Sequence, residues 1–163
     1  MRSLRFEIAY DSPAEEVLDA FWDAASWPEV APHVRAVEIH YEGHGVQVLS
    51  MRVVTGGRSD AFRSIRVREG RSIFFFQPAP PPALRRHLGW WRIREAPGGS
   101  LVACEHWYQT DPAGARAFLR AAGTSDRDPD PAIGEVLTAN SRQTMLALRD
   151  RLRARVRATV PGS

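Results

Sequence analysis

Apolar residues recur along this chain with two different periods. Near the start, "LRFEIAY" (4–10) alternates Leu4, Phe6, Ile8 and Tyr10 against polar or small neighbours, which predicts a strand. "DSPAEEVLDAFWDAA" then switches to a helical repeat. Ser12 is the candidate N-cap, Pro13 stands at the first helical position, and Glu15 and Glu16 load the first turn. Val17, Leu18, Phe21 and Trp22 form its apolar stripe, and "SWPEVAPHV" predicts a short second helix. From residue 34 the period falls back to two. "VRAVEIHYEG", "GVQVLSMRVV", "SDAFRSIRVREG", "RSIFFFQP", "LGWWRIREA" and "SLVACEHWYQT" read as six further strands, separated by glycine turns and by a proline-rich loop over 78–87. The last long pattern, about 131–157, is helical. Ile133, Val136, Leu137, Asn140, Ser141, Thr144 and Leu148 share one of its faces, with Asn140 near the middle.

Seven strands with short connections make an antiparallel sheet, and one long helix buries most simply in the curl of that sheet. The fold class is therefore α+β, with two short helices after the first strand and a hollow between sheet and helix suited to a small molecule. No internal repeat or linker divides the chain, so residues 1–163 read as a single domain.

Composition narrows the class. The chain is 44% hydrophobic and 25% charged, which is typical of a soluble globular protein. The start lacks the apolar core of a secretion signal, and a lone cysteine, Cys104, suits a reducing compartment, so the expected location is cytoplasmic. All 22 basic residues are arginine, and the net charge is +3. The arginine-rich tail "RDRLRARVRA" has no interleaved aromatics, so it reads as a solvated helix end and no nucleic-acid partner is expected. His33, His40 and His44 match a metal set in number only. His40 and His44 straddle a predicted turn, and no metal is expected.

Periodicity leaves the fourth strand undecided. One of its faces carries Phe62, Ser64 and Arg66, the other Ala61, Arg63, Ile65 and Val67. On residues alone, a solvated Arg66 over buried Ile65 and Val67 is slightly the simpler reading.

Taken in order, these segments resemble START-like helix-grip proteins of the SRPBCC superfamily, and more narrowly the polyketide aromatase/cyclases. "SPAEEVLDAFWDAASWPEVAPHVRAVEIHYEG" is similar to that family's opening, "FRSIRV" to the strand with its active-site arginine, "HLGWWRI" to its Gly-x-Trp strand, "CEHWY" to a strand with a functional histidine, and "LTANSRQTMLALRDRL" to its long helix. The resemblance implies aldol ring closure and dehydration or aromatisation of a poly-β-ketone held on an acyl carrier protein, without a cofactor. It turns Phe62, Ser64 and Arg66 inward and Arg63 to solvent. Arg66 would hold a carbonyl and stabilise an enolate, and His106 would move protons. Trp27, Phe62, Ser64, His87, Trp91, Tyr108 and Asn140 would contact substrate, with His87 at the pocket mouth or on a mobile rim.

Cys104 and His106 stand two apart on a strand, about 6–7 Å between backbones, which argues against a nucleophile pair. Where some family members have a tyrosine after the Trp-Pro-Glu turn, this chain has Val34, with His33 or Tyr108 as conceivable substitutes. The rival readings are a carrier or sequestering protein for a hydrophobic or aromatic ligand, and a helix-grip protein that binds a protein partner. Two observations decide between them: which way Arg66 points, and whether a cavity of several hundred Å³ lies beneath it.

Overall fold

The computed structural model describes residues 1–159. Its elements are β1 (Arg2–Tyr10), α1 (Ala14–Trp22), a 3-10 turn (Ala24–Ser26), α2 (Trp27–Val30), β2 (Val34–Gly43), β3 (Val46–Thr55), β4 (Arg58–Glu69), β5 (Ser72–Ala79), β6 (Leu84–Ala96), β7 (Gly99–Thr110), α3 (Pro112–Ala121) and α4 (Pro129–Thr159). The seven strands form one antiparallel sheet in the order β1-β7-β6-β5-β4-β3-β2. Neighbours from β2 to β7 are joined by hairpins, and β1 closes against β7 with Arg2 opposite Tyr108 and Tyr10 opposite Ser100. Register shifts near Ala36, Tyr41, Ile65 and Arg86 bend the ladders and help the sheet curl around α4. No helix among the described residues is long and apolar enough to cross a membrane.

Three sequence expectations change. Pro13 occupies the cap position of α1, and Ser12 is buried with its carbonyl accepting from the Ser100 hydroxyl; the Ala14 N–H instead donates to Glu95 Oε1 at 3.3 Å. Residues 112–121 form a helix, α3, started by Asp111, whose side chain accepts from the Gly114 N–H at 2.9 Å. The proline-rich loop is shorter than expected, so Arg85, Arg86 and His87 belong to β6.

The apolar core falls into two clusters. One joins Tyr10, Phe21, Trp27, Leu49, Met145 and Leu148 under α1 and α2. The other joins Leu84, Tyr108, Phe118 and Ile133 under α3 and the start of α4. A tyrosine in each ties α4 to the sheet: Tyr10 donates to the Met145 carbonyl at 2.6 Å, and Tyr108 to the Asp130 carbonyl at 3.2 Å. The candidate site lies between the clusters.

Strand packing leaves no room for a side chain at Gly89, where a Cβ would collide with the Glu105 carbonyl and the Phe75 ring. Gly89→Ala is therefore expected to cost about 3 kcal/mol through overpacking, read as a lowered midpoint in denaturant unfolding. An unchanged midpoint would show that β5 and β7 can move apart.

Candidate functional site

Alternation on β4 is resolved by burial. Ser64 and Arg66 are buried with Phe62 beside them, while Arg63 is exposed. Arg66 is only 2% exposed. It can sit inside because α1 ends above it. A helix C-terminus leaves carbonyls without partners and is the negative end of the helix dipole. Arg66 donates to two of them, those of Phe21 and Trp22 (3.2 Å for Trp22), and to Gln47 Oε1 at 2.7 Å. The indoles of Trp22, Trp27 and Trp91 surround the cation, with centroids 5.3, 5.2 and 5.6 Å from its central carbon. Burial lowers the guanidinium pKa to about 9, opposed by Glu42 and Asp23, so it stays charged at neutral pH. Glu42 acts at one remove, accepting from Gln47 Nε2 at 3.0 Å and from Trp22 Nε1 at 2.9 Å. The guanidinium is thus less free than a substrate-gripping fork would be, because these bonds engage both Nη atoms and leave Nε as the nitrogen without a partner among the described residues.

A second polar group crosses from the sheet to α4. Gln77 Oε1 meets His87 Nδ1 at 2.9 Å, His87 Nε2 meets His106 Nδ1 at 2.7 Å, and His106 Nε2 meets the Ser141 hydroxyl at 2.9 Å. The two imidazoles stack with centroids 5.0 Å apart, and Phe75 stands edge-on to both. Burial lowers both pKa values: His106 to about 4, and His87 well below the usual range with the His106 charge adding to the effect. His87 therefore lies deep on β6, which corrects the expectation of a pocket mouth or mobile rim.

The Cys104 sulfur lies 3.2 Å from His106 Nε2, closer than backbone spacing suggests, because the two side chains lean together. Burial raises the thiol to about 12, so the pair holds a thiol and a neutral imidazole and lacks the thiolate of a nucleophile couple.

These groups border one cavity of about 140 Å³ between the sheet and α4. That is smaller than the several hundred Å³ expected, and close to the roughly 150 Å³ that accommodates a benzene ring in an engineered core. Trp27, Val34, Leu49 and Arg66 close one end, all buried; half-buried Thr55, Pro81 and Leu137 border the other. Phe62, Ser64, His87, Trp91, His106 and Asn140 also border it, so these sequence candidates are brought together. Asn140 ties α4 to the end of β3, donating to Thr55 Oγ1 at 2.9 Å.

Tyr108 is the exception. It is buried on the inward face of β7, beyond the cavity, and its hydroxyl is spent on the Asp130 carbonyl. Val34 brings no hydroxyl to the wall, whereas the neighbouring His33 borders the cavity. Phe75, Gln77, Ser141 and Thr144 also line it, and Gln47 holds Arg66 at its end, without having been singled out as site residues. Gln47 and Gln77 carried a legible signal, each being polar on an otherwise apolar alternating face. His40 pairs with Ser50, and no group of three His, Cys, Asp or Glu side chains suited to a metal is assembled among the described residues.

A buried cation and a neutral histidine pair around an enclosed apolar hollow invite comparison with known proteins. The sequence profile of the polyketide cyclase/dehydrase and lipid transport family matches residues 11–129. The chain belongs to that family. Among curated polyketide cyclases, it is 33% identical over 153 residues to the actinorhodin polyketide synthase bifunctional cyclase/dehydratase of Streptomyces coelicolor, covering 86% of this chain and 47% of that protein. It is also 33% identical over 98 residues to the granaticin polyketide synthase bifunctional cyclase/dehydratase of Streptomyces virginiae, covering 57% of this chain and 32% of that protein. The chain thus spans half or less of the curated relatives it matches. The crystal structure of the Zhui aromatase/cyclase from Streptomyces sp. R1128 superposes with a TM-score of 0.85 at 25% identity, over 99% of both chains. The di-domain ARO/CYC BexL gives 0.78 at 28% identity, over 91% of this chain and 49% of that one. The helix-grip architecture expected from the strand and helix order is the architecture of these polyketide cyclases.

Burial of neutral histidine has a thermodynamic sign. A folded-state pKa below the ordinary histidine value of 6.5 means that the unfolded chain binds a proton the folded one refuses. The stabilisation is complete above about pH 6.5 and is lost as pH falls toward about 4. For His106 alone the loss is roughly 3 kcal/mol. Denaturant unfolding between pH 7.5 and 4 should show this decline, and His106→Asn should flatten it; an equally steep decline in the variant would assign it to other groups.

Proposed function

We propose that this chain is an aromatase/cyclase that folds a poly-β-ketone, closes a six-membered ring by intramolecular aldol addition, and removes water to make the ring aromatic. The reading is carried by one observation: Arg66 and His106 border the same enclosed, aromatic-lined cavity in a chain of the polyketide cyclase family. The cyclase/dehydratase activities of the actinorhodin and granaticin relatives and the aromatase/cyclase activity of Zhui agree with it.

In this reading the cavity's first contribution is orientation. A poly-β-ketone can cyclise in several registers, and a hollow sized for about one ring admits only a bent segment, the remaining chain running past Pro81 and Leu137 toward an acyl carrier protein. His106, neutral at working pH, takes the proton from a methylene between two carbonyls. The charge left on oxygen lies in the field of the Arg66 cation and within the class of groups its free Nε–H can meet. The enolate carbon bonds to a second carbonyl carbon, whose oxygen takes the proton back from the His106 imidazolium and becomes a hydroxyl. In the dehydration the again neutral His106 removes a neighbouring C–H proton and passes it to that hydroxyl, which leaves as water as the C–C double bond forms. Trp27, Phe62, Ser64, His87, Trp91 and Asn140 shape the hollow around these steps.

The test is reconstitution with a carrier-bound poly-β-ketone. Arg66→Ala should lower cyclised product about 10²–10³-fold, and His106→Asn, which leaves the tryptophan cage intact, about 10²-fold or more. Arg66→Ala also frees two helix carbonyls, so circular dichroism must accompany it. Retained ligand binding with lost product supports the enzyme. Product formed at the wild-type rate by both folded variants would leave a carrier protein as the better reading.

A further inference from the structure

His33 has no part in the steps above, yet it is 7% exposed, borders the cavity, and its Nδ1 has no hydrogen-bond partner. Its other nitrogen, Nε2, lies 3.0 Å from the Thr144 hydroxyl. That hydroxyl has one proton, and it donates to the Asn140 carbonyl one turn back on α4, at 3.2 Å. With that proton on the Asn140 carbonyl, the Thr144 oxygen faces His33 as an acceptor, and the tautomer that fits carries its proton on Nε2 and its lone pair on Nδ1. Burial lowers the His33 pKa, which keeps the ring in this neutral form. Backbone contact fixes the position, since the His33 carbonyl accepts from the Val54 N–H at 2.8 Å.

A buried acceptor without a donor is costly unless something fills it. Two further residues of the cavity wall carry buried donors that have no full hydrogen-bond partner among the described residues: Arg66 at Nε–H, and Trp91 at Nε1–H, which has the weakly accepting Cys104 sulfur beside it. An apolar ligand satisfies none of the three, and a ketone oxygen satisfies only the donors. A ring or enol hydroxyl satisfies both kinds, because its oxygen accepts and its proton is given away.

We propose that His33 Nδ1 is a ligand-binding acceptor that selects a hydroxylated ring or enol over its ketone or ether counterpart. The assignment rests on the cavity being the small-molecule site and names the substituent that this site reads. It gives the pocket higher affinity for the enolic or phenolic form of its ligand than for a form of the same size that cannot donate.

Phenol and anisole are suitable probes, since both approach the size of the cavity and only phenol donates. Calorimetric titration of the intact protein should show phenol binding at least about tenfold tighter than anisole, although anisole is the more apolar. In His33→Phe the two should fall within about threefold of each other. In the wild-type protein, ¹⁵N correlation spectra should show His33 Nδ1 as an unprotonated nitrogen whose resonance moves upfield when phenol binds; this measurement stands even where His33→Phe does not fold. Equal binding of both probes, a preference that survives in His33→Phe, or a protonated Nδ1 would overturn the assignment while leaving the cavity reading intact. Failure of both probes to bind would overturn the two together.

Discussion

A single guanidinium lodged under a helix end organises this molecule. Arg66 holds the C-terminal carbonyls of α1 and reaches Gln47 on β3, so one side chain joins the first helix to two neighbouring strands. The arrangement works because each partner is left needy by the fold. A helix end has carbonyls without donors, a buried cation has donors without water, and three indoles offer the charge a polarisable wall. Its counter-charge, Glu42, stays at the surface and acts through Gln47 and Trp22. The cation is thus stabilised by carbonyl oxygens, with no carboxylate among its hydrogen-bond partners in the described residues.

The histidine pair follows the opposite rule. His87 and His106 are kept neutral by burial, and their hydrogen bonds run from Gln77 to Ser141 without a formal charge. The guanidinium end of the hollow therefore carries charge and the histidine flank does not, the two set apart by Phe75 and Trp91, whose tilted rings meet with centroids 4.8 Å apart. Chemistry that shifts electron density toward an oxygen gains from such asymmetry, because the field points one way before any substrate arrives.

The sequence made the architecture legible because strand and helix periods changed where the elements change, and because glycine marks the hairpins. Its blind spots have physical causes. Helix α3 announced itself with Asp111-Pro112, yet its short, arginine-broken stripe looked like a connection. The direction of Arg66 could not come from alternation, since each face of β4 mixes apolar and polar residues; it depended on where α1 ends, which is a tertiary fact. Tyr108 shared the inward face of β7 with Cys104 and His106, but alternation fixes a face and not a depth along it, and Tyr108 falls beyond the cavity. The Cys104–His106 contact was missed for a related reason: backbone spacing sets where side chains begin, not where they lean.

The two tyrosine bonds to α4 have a further meaning. Tyr108 and Tyr10 grip the helix at Asp130 and Met145, about 22 Å apart along its axis. Between these supports α4 behaves as a beam spanning the hollow, and Leu137, Asn140, Ser141 and Thr144 project from that span into the cavity wall. Load is borne at the ends, while shape is set in the middle. A lineage carrying this scaffold can remodel the span residue by residue, trading one ligand outline for another, without disturbing the joints that hold the helix to the sheet.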